Sequence, residues 1–369
     1  MSRRRTRERL SRGVSHVGER FEAEVGPIAH GGHCVVRHDE RVVFVRHALP
    51  GERVVVSVTE GSDGDRFWRG DAVSVVSASA DRVPPPCPYA GPELCGGCDF
   101  QHVSAAAQRT LKSDVVREQL SRLAGLDLDI TVEEVPPLLR WRTRMRYVAL
   151  PGGARGLHVH RSDEVVAIDD CLIDAAGASR EVETVATSYG THDFRVDPDG
   201  FWQSHVDAPR VLVETVLGMV APRPGEKALD LYAGVGLFAA FLADAVGPSG
   251  RVVAVEGSRV ACRDARNNLP ATVQIEQGSV DRVLAAAYDE PFDVVVLDPP
   301  REGARRKVVG QIVDRAPRAV AYVACDPAAL ARDLATFAER GYPLRELRAF
   351  DLFPMTAHVE CVALLESSR

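Results

Sequence analysis

No stretch of this chain approaches the run of about eighteen apolar residues that a membrane-spanning helix needs. The N-terminal "MSRRRTRERLSR" is rich in arginine but has no apolar segment behind it. It therefore reads as a flexible basic arm over residues 1–16, not a secretory signal. There is no internal repeat, and no low-complexity tract beyond that arm. A strong excess of positive charge is also missing: the net charge is −7 at pH 7. This argues mildly against a nucleic-acid partner for the molecule as a whole, while leaving room for a local basic stripe. Eight cysteines in 369 residues are too few for a disulfide scaffold. The expected setting is the reducing cytoplasm, where thiols serve as core residues, metal ligands or catalysts.

What is present is material for two or three cores: 45% hydrophobic and 26% charged residues. Residues 17–80 alternate short β-type runs with Gly, Pro and Asp turns, the pattern of a small closed barrel. "VSAAAQRTLKSDVVREQLSRLAG" turns to helical spacing with Gly125 as its stop, and residues 81–205 as a whole read as a central α+β region. From 206 to 369, "KALDLY", "RVVAVE", "FDVVVLDPP" and "AVAYVACDP" are apolar strand cores alternating with helical stretches. That order predicts an α/β domain with a parallel, doubly wound, Rossmann-like sheet.

In such a sheet ligands bind beyond the carboxyl ends of the strands. "ALDLYAGVGLFAAFLA" reads as strand, glycine turn and helix, with Gly234 and Gly236 allowing close approach of a ligand. Glu256, closing the next strand, is suited to ribose hydroxyls. Taken alone, this window fits S-adenosylmethionine or a nicotinamide dinucleotide. Asp230, Glu256, Asp298 and Cys325 all fall at strand ends and are expected to converge on one crevice. A cysteine beside a D-P-P turn has no evident use in hydride transfer, so a methyl donor is favoured.

These residues carry a resemblance. "DLYAGVGLF", "VLDPPREG", "YVACDPAALARDL" and "FPMTAHVECVALL" are similar, in order and spacing, to the RNA 5-methyluridine methyltransferases. Upstream, residues 17–80 resemble that family's RNA-binding TRAM barrel, and "DGFWQSHVDAP" its cofactor-contacting glutamine motif. The resemblance implies methylation of C5 of a uridine in RNA by S-adenosylmethionine, with 23S rRNA favoured over tRNA. It implies Cys325 as the nucleophile, Glu360 as the base for the C5 proton, and Gln203, Tyr232, Glu256 and Asp298 around the cofactor. Asp326, Leu237 and the Ser204-His205 pair depart from the family pattern. Cys34, Cys262 and Cys361 read as core thiols. The four arginines of "RWRTRMR", residues 140–146, are candidates for backbone phosphates. A monomer is expected. The competing readings are a tRNA enzyme, a catalytically dead RNA-binding scaffold, and an iron–sulfur NAD-dependent oxidoreductase.

Three further cysteines crowd "CPYAGPELCGGC". Cys87, Cys95 and Cys98 could form a disulfide network, hold zinc or an iron–sulfur cluster, or remain thiols. The resemblance implies Cys171 as a fourth ligand and a structural [4Fe–4S] cluster.

Overall fold

The computed structural model describes residues 13–175 and 181–368, so most of the basic arm lies outside the described residues. The chain forms two compact units. One holds the chain up to Gln108 together with Tyr147–Asp169 and Met355–Ala357; the other holds Arg109–Arg146, Asp170–Pro354 and the chain from His358 onward.

In the first unit, β1 (Arg20–Glu24), β2 (Ile28–Ala29), β3 (His33–His38), β4 (Arg41–Arg46), β5 (Arg53–Glu60) and β6 (Phe67–Ser77) form one curled sheet. Its order is β1-β5-β6-β4-β3-β2, a curled, OB-like sheet that matches the small β-barrel expected of this region. Alternation explains the curl: Val54, Val56 and Val58 of β5 are buried while their neighbours face outward. Gly70 is required in β6 because a Cβ there would stand 2.7 Å from the Ser57 carbonyl oxygen. Glu52 is fully buried, accepting hydrogen bonds from Arg82 Nε (2.6 Å), Arg82 Nη2 (2.7 Å), Leu49 N and Ser79 N.

Helix α1 (Ala105–Ala124) ends at Gly125, whose φ of +65° suits a helix stop. Then follow β7 (Val132–Glu134) and, in the first unit, the small sheet of β8 (Val148–Ala149), β9 (Arg155–His158) and β10 (Val165–Ile168). The second unit continues with the hairpin β11 (Val182–Thr187) and β12 (Gly190–Arg195), then helix α2 (Ala208–Val220). Alternating elements come next: β13 (Lys227–Leu231), α3 (Leu237–Val246), β14 (Arg251–Glu256), α4 (Arg259–Asn268), β15 (Val273–Gln277) and α5 (Val280–Ala286). The chain finishes through β16 (Val294–Leu297), α6 (Arg305–Val313), β17 (Ala319–Ala324), α7 (Pro327–Glu339), β18 (Leu344–Asp351) and β19 (Glu360–Glu366).

These strands, with β7 at one edge, build an eight-stranded sheet in the order β15-β14-β13-β16-β17-β19-β18-β7. The five strands from β15 to β17 are parallel, as expected. β19 runs antiparallel to both β17 and β18, so the sheet is mixed. The central strands are buried on both faces, which is why "VVVL" and "AVAYVA" read as unbroken apolar runs. One face packs α2 and α3 through Leu212, Val216, Phe238 and Phe241. The other packs α1, α6 and α7 through Leu120, Val309, Ile312, Leu330 and Phe337. The result is a three-layer α/β/α core with its strand ends free for chemistry.

Candidate active site

Parallel pairing fixes which residues leave the sheet together. Leu231 of β13 registers with Val255 of β14 and with Leu297 of β16. Tyr232, Glu256 and Asp298 therefore stand at the same carboxyl edge. On the next strand, Ala324 pairs with Cys361 of antiparallel β19. Cys325 follows Ala324, and Glu360 precedes Cys361. These five residues and Gln203 all line one cleft of about 1040 Å³.

The turn after β13 shapes one wall. Tyr232 has φ +63°, Gly234 +56° and Gly236 +94°, so the chain turns sharply through left-handed positions into α3. A Cβ on Gly234 would meet nothing, leaving its backbone open to the cleft. One on Gly236 would stand 2.7 Å from Leu269 Cδ1. The Glu256 carboxylate accepts from Gly234 N (2.9 Å) and Ser258 N (2.6 Å), which fixes it at the mouth of the turn. A backbone cradle beside a fixed carboxylate fits the adenosyl and ribose portions of S-adenosylmethionine. Gly236→Ala is expected to cost about 1–2 kcal/mol from the left-handed backbone alone, with further loss from the Leu269 overlap. A denaturant midpoint checks this; an unchanged midpoint contradicts the turn's dependence on glycine.

Asp230 does not reach the cleft, contrary to the expectation from its position. It is wholly buried, and its Oδ2 accepts from Ala239 N (2.9 Å), tying β13 to α3. Its Oδ1 has no partner among the described residues. Burial pushes its carboxyl up to about 7, from an ordinary value of 3.8. Between those values the folded state holds a proton that the unfolded state has lost. Asp230 thus contributes stability that is full below pH 3.8 and fades as pH rises through about 7. Asp230→Asn keeps an acceptor for Ala239 and removes the titration. The variant is expected to gain stability relative to the parent as pH rises from 4 to 7. Parallel curves of unfolding free energy against pH would contradict that role.

The end of the cleft around Asp298, Cys325 and Glu360 is acidic. Burial, with a smaller opposing effect from Gln203, raises the Asp298 carboxyl to about 7; Gln203 Nε2 donates to its Oδ2 at 3.1 Å. Glu360 is buried, and burial followed by the Asp298 charge raises its carboxyl well above the usual range. Burial, then Glu360 and Asp298, push the Cys325 thiol up to about 12, with Arg301 opposing. Burial likewise lifts the Tyr232 phenol to about 12.

Arg301, His358 and Phe353 also line this cleft, although sequence reasoning gave them no role. Arg301 lies in "DPPREG", and its Nη2 donates to His358 Nε2 at 2.8 Å. Burial, then Arg301, lowers His358 to about 4, so its ring is neutral at pH 7. The loop that delivers Arg301 is held at Ala304, whose N–H donates to the Tyr322 hydroxyl (3.1 Å) and Asp333 Oδ2 (2.8 Å). Both residues sat in quoted motifs, "DPPREG" and "HVE", and these were the signal available.

Of the residues that depart from the family pattern, Ser204 lines the cleft, whereas Asp326, Leu237 and His205 lie in the scaffold. Asp326 is the N-cap of α7, its Oδ1 accepting from Ala329 N at 2.8 Å, a task that asparagine performs equally well. Leu237 is buried among the side chains packed under α3. His205 is fully buried, stacked on Trp141, and its Nδ1 accepts from Asp207 N.

Two expectations are corrected. Among the described residues, no group of three or more His, Cys, Asp or Glu side chains could hold a metal ion. Cys87, Cys95, Cys98 and Cys171 are not in disulfides, and they do not form the expected [4Fe–4S] or zinc site. Closeness along the chain does not bring sulfurs to a common point; Cys98 Sγ instead accepts from Gln101 Nε2, and Cys95 Sγ from Gly97 N. Nor is "RWRTRMR" a free basic stripe. Arg140 pairs with Asp170, Arg142 Nε donates to the Arg144 carbonyl, and Arg144 Nη1 donates to the carbonyls of Asp197 and Pro198. Arg146 remains exposed. Cys34, Cys262 and Cys361 are buried, as expected of core thiols.

Comparison with known proteins agrees with this architecture. A TRAM domain model matches residues 14–73, a small methyltransferase domain model 192–322, and a tRNA (uracil-5-)-methyltransferase model 281–368. An uncharacterized RNA methyltransferase of Streptomyces coelicolor is 45% identical, over 97% of this chain and 95% of its own length. The 23S rRNA (uracil(1939)-C(5))-methyltransferase RlmD of Alkalilimnicola ehrlichii is 30% identical, over 98% of both chains. The crystal structure of Pyrococcus abyssi tRNA (uracil-54, C5)-methyltransferase with S-adenosyl-L-homocysteine superposes with a TM-score of 0.69 at 21% identity. That likeness covers 93% of this chain and 99% of the other. No described helix is long and apolar enough to cross a membrane. With its TRAM sheet, its three-layer core and these relatives, the chain belongs to the S-adenosylmethionine-dependent RNA (uracil-5-)-methyltransferases.

Proposed function

We propose that the chain methylates C5 of a uridine in 23S rRNA through a covalent bond between Cys325 and C6 of the base. The observation that supports this reading is that Cys325 and Glu360 both line the cleft, next to the paired residues Ala324 and Cys361 of β17 and β19. Preference for ribosomal RNA rests on the Alkalilimnicola relative, whose name specifies 23S rRNA.

C5 of uracil is a poor nucleophile and needs activation. The Cys325 thiol passes its proton to water in the cleft, its sulfur adds to C6, and the C5–C6 π electrons move toward O4. This makes C5 nucleophilic, and splits one hard step into easier ones. S-adenosylmethionine supplies an electrophilic methyl group on a sulfonium. When the C5–methyl bond has formed, C5 still bears its hydrogen. Glu360 takes that proton, the C5=C6 bond reforms, and the C6–S bond breaks. A carboxylate whose proton affinity is raised by burial is a stronger base than one in water. Asp298, held by Gln203, orients the base or the cofactor. A stacked uridine must first be extruded to reach such a cleft.

Mapping 5-methyluridine across RNA from a strain lacking the chain tests the proposal. The expected result is loss of the mark at one or more 23S positions. Loss confined to tRNA would replace the ribosomal reading with the tRNA one.

A further inference from the structure

We propose that the first unit holds an anion site that seats a phosphate group, supplied by the RNA backbone. The RNA source rests on the function proposed above; the anion site itself does not.

A cavity of about 190 Å³ in this unit is lined by His33, Arg46, Glu60, Arg69, His160 and Arg161. Arg46, at the end of β4, is 7% exposed, yet its Nη2 makes no hydrogen bond among the described residues. The paired carboxylate oxygen, Asp99 Oδ1, lies 3.6 Å away, beyond hydrogen-bond reach. His33 Nε2, on β3, and His160 Nε2, beyond β9, are also buried without a partner. Their rings stand 6.3 Å apart, centroid to centroid. Three residues from three separate segments thus line one cavity, each with a buried nitrogen that makes no hydrogen bond among the described residues. A buried donor left unmade costs about 1–3 kcal/mol; Arg46 Nη2 is such a donor, and each histidine Nε2 is one in its Nε2–H tautomer.

The charges around the cavity select the ligand. Arg161 Nη1 donates to Glu60 Oε1 (3.0 Å) and Arg69 Nη1 to Glu60 Oε2 (3.1 Å), so two guanidiniums share one carboxylate. Asp71, whose carboxyl is pushed up by burial, and Glu93, at the exposed edge, are the other acids on the wall. Burial first, and Arg46 next, lower both histidines to about 4. They are neutral at pH 7 and can donate an N–H without adding charge. The guanidiniums around these rings repel a metal cation and attract an anion. A tetrahedral oxyanion offers several acceptors at once, and guanidinium–phosphate bonds are among the stronger charge-assisted ones.

Two measurements on the full chain separate the sources. With histidine-labelled protein, inorganic phosphate is expected to shift the His33 and His160 ring signals and raise their pKa values. Arg46→Met should abolish both effects, and His160→Ala should weaken the response at His33 if Arg46→Met fails to fold. No response in the parent overturns the anion site. In the second arm, binding of labelled oligouridylate is followed between about 50 and 200 mM salt. Loss of one single-strand phosphate contact should reduce the slope of log K against log salt by about 0.7. A phosphate response with an unchanged slope overturns the RNA backbone as source. A loss of affinity equal at every salt concentration assigns the cavity to a base and overturns the proposal. Failure of the parent to bind RNA at all defeats the functional reading, while the phosphate arm still decides the site.

Discussion

Replacing Cys325 with alanine is expected to bring methyl transfer to background while S-adenosylhomocysteine still binds. In the proposed mechanism the thiol acts on the uracil ring, whereas the cradle built by Gly234 and Glu256 stands at the ends of β13 and β14. Without sulfur addition at C6, C5 keeps its low reactivity and no binding energy can substitute for the missing bond. Calorimetric affinity for S-adenosylhomocysteine should match the parent within about twofold, or roughly 0.4 kcal/mol. Measurable turnover by Cys325→Ala would contradict covalent activation. A matching loss of cofactor affinity would instead assign the thiol to cofactor binding.

Removing Glu360 should act later in the sequence of steps. In the proposed mechanism sulfur addition and methyl transfer both precede loss of the C5 proton, so Glu360→Gln should leave them possible. Only elimination stalls, and a protein–RNA adduct already methylated at C5 should accumulate. Loss of a general base typically slows a step by about 10²–10⁴, enough to reveal the adduct on a denaturing gel. Combining it with Cys325→Ala should remove the band. Normal turnover by Glu360→Gln would assign the proton to another group. Asp326 is poorly placed for that task because its carboxylate caps α7.

The parallel half of the second unit was legible because buried strands leave unmistakable apolar runs ending in Asp298 and Cys325. Glycines at 234 and 236 marked a turn whose positive φ angles only such residues adopt easily. The antiparallel entry of β19 was not legible, since hydrophobic alternation specifies burial and says nothing of strand direction. Asp230 shows a related limit: the strand end was read correctly, but only coordinates reveal that its carboxylate turns inward to α3. Arginines in "RWRTRMR" looked free because sequence does not show the carbonyls that engage them. The cysteine spacing misled for the same reason. Ligand sets depend on convergence in space, and that is set by loop paths that composition does not encode. Arg301 and His358 escaped notice because each is one polar residue in a motif dominated by its neighbours.

The central claim, a covalent route to C5 through Cys325, is tested most directly with RNA carrying 5-fluorouridine. Fluorine replaces the C5 hydrogen that Glu360 is proposed to remove, so elimination should not follow and the adduct should persist. Incubation with S-adenosylmethionine, digestion and tandem mass spectrometry identify the linked residue. The account predicts one nucleotide, methylated at C5, attached to the peptide containing Cys325. Linkage to a different residue, or absence of any adduct while unmodified RNA is methylated at full rate, would contradict it.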